Sequence, residues 1–314
     1  MTGTNTTWLI SKAMKKFRLL CGYLIAAIAL LSCEKAVLPE MESKGNKNVT
    51  LTFLLTNADP TRSSDGSHVG KTTRATLTQY ITKLNVQLFD ADGNKVFSTV
   101  RTQTKDDDDF GTMQMELPAG TYTVVAVGHS STKSATIKSP EVVQFTASDG
   151  EKLTDTFCHC STIIIKGEQQ DFSLPMYRAT AMVQINLTDN EFPSSLWYVT
   201  ADYTGGSANF NPTTLEGITK SSQSERRITN DLHLHQFFTF PYMAKTGTLK
   251  MTVSATTSDG TILRQRTFDA VPVARNRITT YEGELFGDGE WTTTQTDFSF
   301  LIHADWDGED FYEF

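Results

Sequence analysis

The feature that most constrains the fold is a period of two. From Asn48 to about Gly287 apolar and polar residues alternate in short runs separated by turn residues, which suits strands and leaves almost no helix-period segment. "NVTLTFLL" alternates from Asn48. "ITKLNVQLFDADGNKVFSTV" sets two such runs around Asp92 and Gly93, which predicts a hairpin with a two-residue turn, because that turn needs positive φ. "MQMELPAGTYTVVAVGH" predicts another pair of strands with Pro118 to Gly120 as the turn, and "EVVQFTA" and "STIIIKGE" add more. The second half restarts the pattern with "ATAMVQINLTD", "SLWYVTADYTGG", "LHLHQFFTFPYM" and a hairpin around Asp259 and Gly260. Threonine- and valine-rich runs with a turn every ten or so residues make this an all-β chain of two tandem β-sandwiches.

The break between the two falls near "SLPMYRAT", where Pro175 interrupts strand pairing and a new run begins. That gives an N-terminal sandwich over 48–176, a C-terminal sandwich over 177–290 and a strand or tail over 291–314, each sandwich long enough to bury its own core. Residues 57 to 76 are polar and read as an exposed loop that carries Arg62 and Arg74.

Ahead of this lies a different grammar. Lys12, Lys15, Lys16 and Arg18 form a basic patch, residues 19 to 31 are apolar or small, and the run stops at "LLSC" before turning charged at Glu34 and Lys35. The apolar stretch is too short to span a bilayer and fits the core of a signal peptide. "LLSC", with Leu30 three residues before Cys33 and small Ser32 just before it, resembles the lipobox of bacterial lipoproteins. The resemblance implies a signal peptide over 1–32, lipidation of Cys33, a tether over 33–47, and an outer membrane reached through the N-terminal lipid, since several acyl chains at about 0.8 kcal/mol per buried methylene hold a protein to a bilayer. The leader takes four of the 28 basic residues and none of the 36 acidic ones, leaving 24 against 36, a formal charge of −12 that argues against nucleic acid as a partner. Cys158 and Cys160 are too few for a disulfide framework.

Chemistry-bearing patterns are sparse. "CHC" at 158 to 160 puts two thiols on one strand face without the two further ligands a metal site needs. "HLH" at 233 to 235 reads as a solvated strand face with Leu234 pointing inward. "DADGN" at 90 to 94 begins like a calcium loop, but its glycine comes too early and its twelfth position is Arg101. The aspartates 106 to 109 repel one another and read as a solvated loop. There is no GxSxG elbow, no HExxH and no phosphate-binding glycine loop. The expectation is therefore no enzyme, no catalytic residue, no cofactor and no metal. A glycosidase's two carboxylates have no such motif, so that class stays open in principle. So does a surface glycan-binding lipoprotein, with Trp197, Tyr198, Trp291 and Trp306 as the aromatics to stack on sugars.

"KLNVQLFDADGNKV", "LPAGTYTVVAVG", "MYRATAMVQINL" and "VPVARNRITTYEGELFG", in this order behind a lipobox, resemble the fimbrial subunit and anchor lipoproteins of the Bacteroidales, the type V pilus family. The resemblance covers about Asn48 to Gly287. It implies two transthyretin-like Greek-key sandwiches, no catalytic residues, and partners that are other fimbrial subunits joined by strand exchange. In that family polymerising subunits are cut by an arginine-directed protease, which makes Arg62 and Arg74 the candidate sites; an anchor keeps "NVTLTFLL" in its own sheet. The chain is expected to be an anchor or minor subunit rather than the stalk, with host or glycan ligand unknown. In the tail, Phe298, Phe300 and Ile302 share one face of an extended strand and Leu301 the other. They form the candidate strand-exchange interface, the alternative being the last strand of the second domain.

Overall fold

The computed structural model describes residues 49–57, 74–132, 134–145, 153–228, 233–290 and 292–297. Cys33, Arg62, Trp291, Phe298, Phe300, Leu301, Ile302 and Trp306 lie outside the described residues.

The first half runs β1 (Val49–Asn57), helix α1 (Arg74–Tyr80), β2 (Lys83–Phe89), β3 (Arg101–Thr104), β4 (Thr112–Leu117), β5 (Gly120–His129), β6 (Thr136–Ser139), β7 (Val142–Gln144), β8 (Phe157–Ile165) and β9 (Gln170–Arg178). The second runs β10 (Ala181–Leu187), β11 (Tyr198–Ser207), β12 (Asn209–Asn211), β13 (Glu216–Gly217), β14 (Ser221–Ile228), β15 (Leu234–Pro241), β16 (Thr246–Thr256), β17 (Ile262–Ala274), β18 (Arg277–Gly283) and β19 (Thr292–Asp297).

The two halves share one wiring. In the first, β3-β2-β5-β8 form one layer and β4-β1-β9 the other, with β1 antiparallel to β4 and parallel to β9. In the second, β14-β11-β16-β17 face β15-β10-β18, with β10 antiparallel to β15 and parallel to β18. β19 extends that second layer along β18. Each pair of layers encloses an apolar core, because a sheet with one apolar face must bury it against another. Leu84, Val86, Leu88, Met113, Met115, Val124, Ile163 and Leu174 fill the first, and Val183, Ile185, Tyr203, Phe237, Met251, Val253 and Val271 the second.

A third core belongs to both halves. On β5, Val124 and Ala126 face the first core while Val125 and Val127 face the opposite way, which explains why "TVVAV" is apolar without a break. Val125, Val127, Phe89 and Cys158 meet Ile137 and Val143 from the first half and Phe210 and Phe240 from the second. Over them lies a four-stranded sheet, β13-β12-β7-β6, in which Asn209 and Phe210 pair with Gln144 and Val143. At Gly217 a Cβ would meet the Ser207 Cβ at 2.6 Å and the Phe240 carbonyl at 2.9 Å, so glycine lets β13 approach this closely.

Local geometry corrects several expectations. The turn at Asp92 and Gly93 has three residues rather than two. Asp90 N–H donates to the Asn94 carbonyl at 2.9 Å, Gly93 takes φ +81°, and the Asp90 carboxylate accepts from the N–H groups of Asp92 and Asn94. Thr257 to Thr261 repeat the same form around Gly260. Pro118 to Gly120 do not close a hairpin, since β4 pairs with β1 while β5 pairs with β2 and β8; the turn carries the chain between layers, and the Tyr122 hydroxyl donates to the Pro118 carbonyl at 3.1 Å across it. Arg74, expected in a loop, opens the seven-residue helix α1, whose Leu77 and Tyr80 pack on the first core.

Candidate functional site

An all-β chain offers a neighbour its strand edges, so the candidate site is those edges and the parts that fix them. β1 lies between β4 and β9, with ladders on both sides: Leu51 opposite Met115 and Gln170, Leu54 opposite Thr112 and Ser173. Its main-chain groups are therefore used in both directions, and the layer has no vacant position at its centre.

At the other end, Thr292 to Asp297 run antiparallel along β18, from Thr292 opposite Glu282 to Asp297 opposite Arg277. The segment after "GDGEW" thus begins as a strand of the second sandwich rather than apart from it. The loop feeding it is tied at both sides. The Asp189 carboxylate, 4% exposed, accepts from the N–H of Leu285 at 2.7 Å and of Phe286 at 2.8 Å. Arg264 donates to the Leu285 and Gly287 carbonyls and pairs with Asp288 at 2.7 Å, and Arg266 donates to the Gly287 carbonyl. Phe192 packs against His233 and Phe286 beside this loop.

Between the sandwiches stands a charged clamp. Arg178, with its side chain 4% exposed, donates from Nε and Nη2 to Asp155 at 2.8–3.0 Å and from Nη1 to Asn276 Oδ1 at 3.0 Å, and its guanidinium lies 4.8 Å over the Phe157 ring. The Thr180 hydroxyl donates to Asp155. Asn276 adopts φ +60°, which its short amide side chain tolerates, and its N–H donates to the Thr180 carbonyl at 2.9 Å.

The chain matches, over residues 41–307, the family model of fimbrillin-A associated anchor proteins Mfa1 and Mfa2. The chain belongs to this fimbrial anchor family. Solved structures similar to it include the fimbrial anchor protein Mfa2 from Porphyromonas gingivalis, at 12% identity and TM-score 0.44, covering 82% of this chain and 99% of that one. A fimbrial assembly protein from Parabacteroides distasonis shows 12% identity and TM-score 0.42 over 80% of this chain and 96% of its own. The tip fimbrial protein Mfa3 from Porphyromonas gingivalis, with a C-terminal truncation, shows 12% identity and TM-score 0.41 over 80% and 99%. No curated protein sequence matches the chain.

The remaining sequence candidates of this fimbrial-family chain take structural places. Cys158 is buried against the shared core and Cys160 half-buried beside it, and burial pushes both thiols up. His159 faces the other way. Its Nδ1 donates to the Pro175 carbonyl at 2.9 Å, so Nε2 is left to accept from Ser161 at 2.7 Å. Burial lowers its pKa, and the Pro175 bond opposes that in part. Leu234, expected inward, is 42% exposed, whereas His235 is 4% exposed. The cross-strand partners decide it: His235 stands opposite buried Ile185, and Leu234 opposite half-buried Asn186. Asp106 to Asp109 are exposed, with the Asp107 carboxylate accepting from Thr104. Among the described residues no three His, Cys, Asp or Glu side chains are grouped to hold a metal.

Sequence reasoning missed Asp189, Asp155 and Asn276. Asp189 and Asn276 lie inside "ATAMVQINLTD" and "VPVARNRITTYEGELFG", and Asp155 three residues before Cys158, but bonds such as that of Arg178 to Asn276 span 98 residues and leave no local pattern.

Proposed function

We propose that the chain is the basal anchor of a cell-surface fimbrium: lipidated at Cys33, held on the outer membrane, uncut at Arg62 and Arg74, and joined to the last stalk subunit by strand exchange. The observation that carries this reading is β1, laddered to β4 and β9 inside its own sheet. A subunit that polymerises by strand exchange needs that position open, whereas an anchor needs it filled, because cutting after β1 removes the strand and the lipid tether together. The reading divides the chain into a tether over 33–47, two sandwiches over 48–176 and 177–290, and a C-terminal tail over 291–314. In the tail, Phe298, Phe300, Leu301 and Ile302 are the groove-filling residues offered to the neighbour.

Deletion of residues 296–314 tests it. The truncated protein is expected to fold, to keep its lipid and to release pili into the medium. Retention of pili on the cells contradicts the strand-donating tail. Loss of the melting transition assigns the tail to the protein's own core.

A surface glycan-binding lipoprotein is the second reading. It is favoured by Trp197, 52% exposed and set edge-on against Tyr198 at 6.4 Å, with Arg226 4.9 Å over the Tyr198 ring. Retention on insoluble polysaccharide that Trp197→Ala abolishes supports that reading, and pili-free cells with and without the protein support it over the anchor.

A further inference from the structure

We propose that the two sandwiches form one mechanical and cooperative unit, locked by the Asp155–Arg178–Asn276 clamp and by the sheet they share. That sheet takes β6 and β7 from the first half and β12 and β13 from the second, with Phe210 opposite Val143. Beneath it Phe210, fully buried, packs 4.4 Å from Phe240 and belongs to the same apolar cluster as Val125 and Val127 of β5. The Phe145 N–H donates across the join to the Ala208 carbonyl.

Neither half covers its own surface here. Ile137 and Val143 cover only part of the outward face of β5 and β8; without the second half the rest of that face would meet water, and without the first, Phe210 and Phe240 would. The linker Arg178-Ala179-Thr180 has no slack: Arg178 is bound to Asp155 and Asn276, Thr180 binds Asp155 through its hydroxyl and Asn276 through its carbonyl, and Ala179 is fully buried with its N–H donating to the Thr156 carbonyl. Tension entering through β1 passes to β9 along their parallel ladder, then through Arg178 to the β17–β18 turn and into β18. Under the anchor reading, on which the purpose of this device rests, the lipid pulls at one end and the fibre at the other, and a hinge here would be the weakest point. The lock itself does not depend on that reading.

Amide hydrogen exchange on the purified full chain tests the lock, with β5 and β16 read as separate peptides. In the native protein the slowest amides of both strands are expected to exchange at one common rate, set by global opening. Phe210→Ala, a change in the second half, is expected to speed β5 and β16 by the same factor, on the order of 100-fold for loss of a buried phenyl group. Complete loss of protection in both strands together is the same result in its extreme. Distinct rates in the native protein, or acceleration of β16 with β5 unchanged, overturns the proposal. Shedding of pili in the tail-deletion experiment is read separately, so failure of the lock and failure of the anchor reading are told apart.

Discussion

Arg178 Nη1 donates to Asn276 Oδ1 at 3.0 Å although 98 residues separate them, so the last residue of β9 is bound to the turn that starts β18. Both lie in stretches that carry the family resemblance, "MYRAT" and "VARNR". Arg178→Met removes the guanidinium and leaves the Asp155 carboxylate, 17% exposed, with the Thr180 hydroxyl as its side-chain partner among the described residues. A loss of about 3 kcal/mol is expected, typical of breaking a buried ion pair from one side. The double change with Asp155→Asn recovers part of it. Denaturant midpoints of the three proteins check this, and equal losses in single and double variants contradict it.

Asp189 fixes the loop that launches β19 through the N–H groups of Leu285 and Phe286. Asp189→Ala leaves the buried Leu285 N–H and the half-buried Phe286 N–H unpaired, at a cost of about 1–3 kcal/mol for the first and less for the second. Its local mark is an acceleration of amide exchange in β18 and β19 beyond that of β5, whose slowest amides speed up only by the loss of global stability. A uniform effect across all three strands would make Asp189 a general core residue instead.

His129 is buried with a fixed tautomer: Ser131 N–H donates to Nδ1, so Nε2 donates to Asn85 Oδ1 at 2.8 Å. Burial, with nearby Lys83 adding to it, holds its pKa at about 4 against an ordinary 6.5. The unfolded chain therefore takes up a proton near pH 6.5 that the fold refuses until about pH 4. Stability from this group is constant above pH 6.5 and falls as pH drops from 6.5 to 4, by about 3 kcal/mol in all. His159 shifts in the same direction through burial. The stability difference between the native protein and His129→Gln should shrink through that window; a difference independent of pH between 7.5 and 4 contradicts this origin.

The strands were legible because a strand with one face on the core alternates in burial, and Met113, Met115 and Leu117 show that pattern, buried at every second residue. Their partners were not, since β1 pairs with β9 and β10 with β18 across whole sandwiches and nothing local encodes that choice. Leu234 and His235 show the same limit at residue scale: both phases fit a strand, and Ile185 on the neighbouring strand selects the one that buries the histidine. The clamp was illegible because an arginine, an aspartate and an asparagine in loops and strand ends carry no periodicity.

The proposal that Cys33 is lipidated rests on "LLSC" alone. Cells fed a clickable palmitate should label the native protein and not Cys33→Ser. Equal labelling of both would remove Cys33 from the account.

The central claim is that β1 stays in the protein's own sheet, and the intact mass of the protein taken from the cell surface tests it most directly. A single acylated chain that begins at Cys33 and runs uninterrupted through Arg62 and Arg74 is the predicted result. A mature form that starts at Ser63 or Ala75, cut after Arg62 or Arg74 and stripped of β1 and its lipid, would contradict it and make this a polymerising subunit.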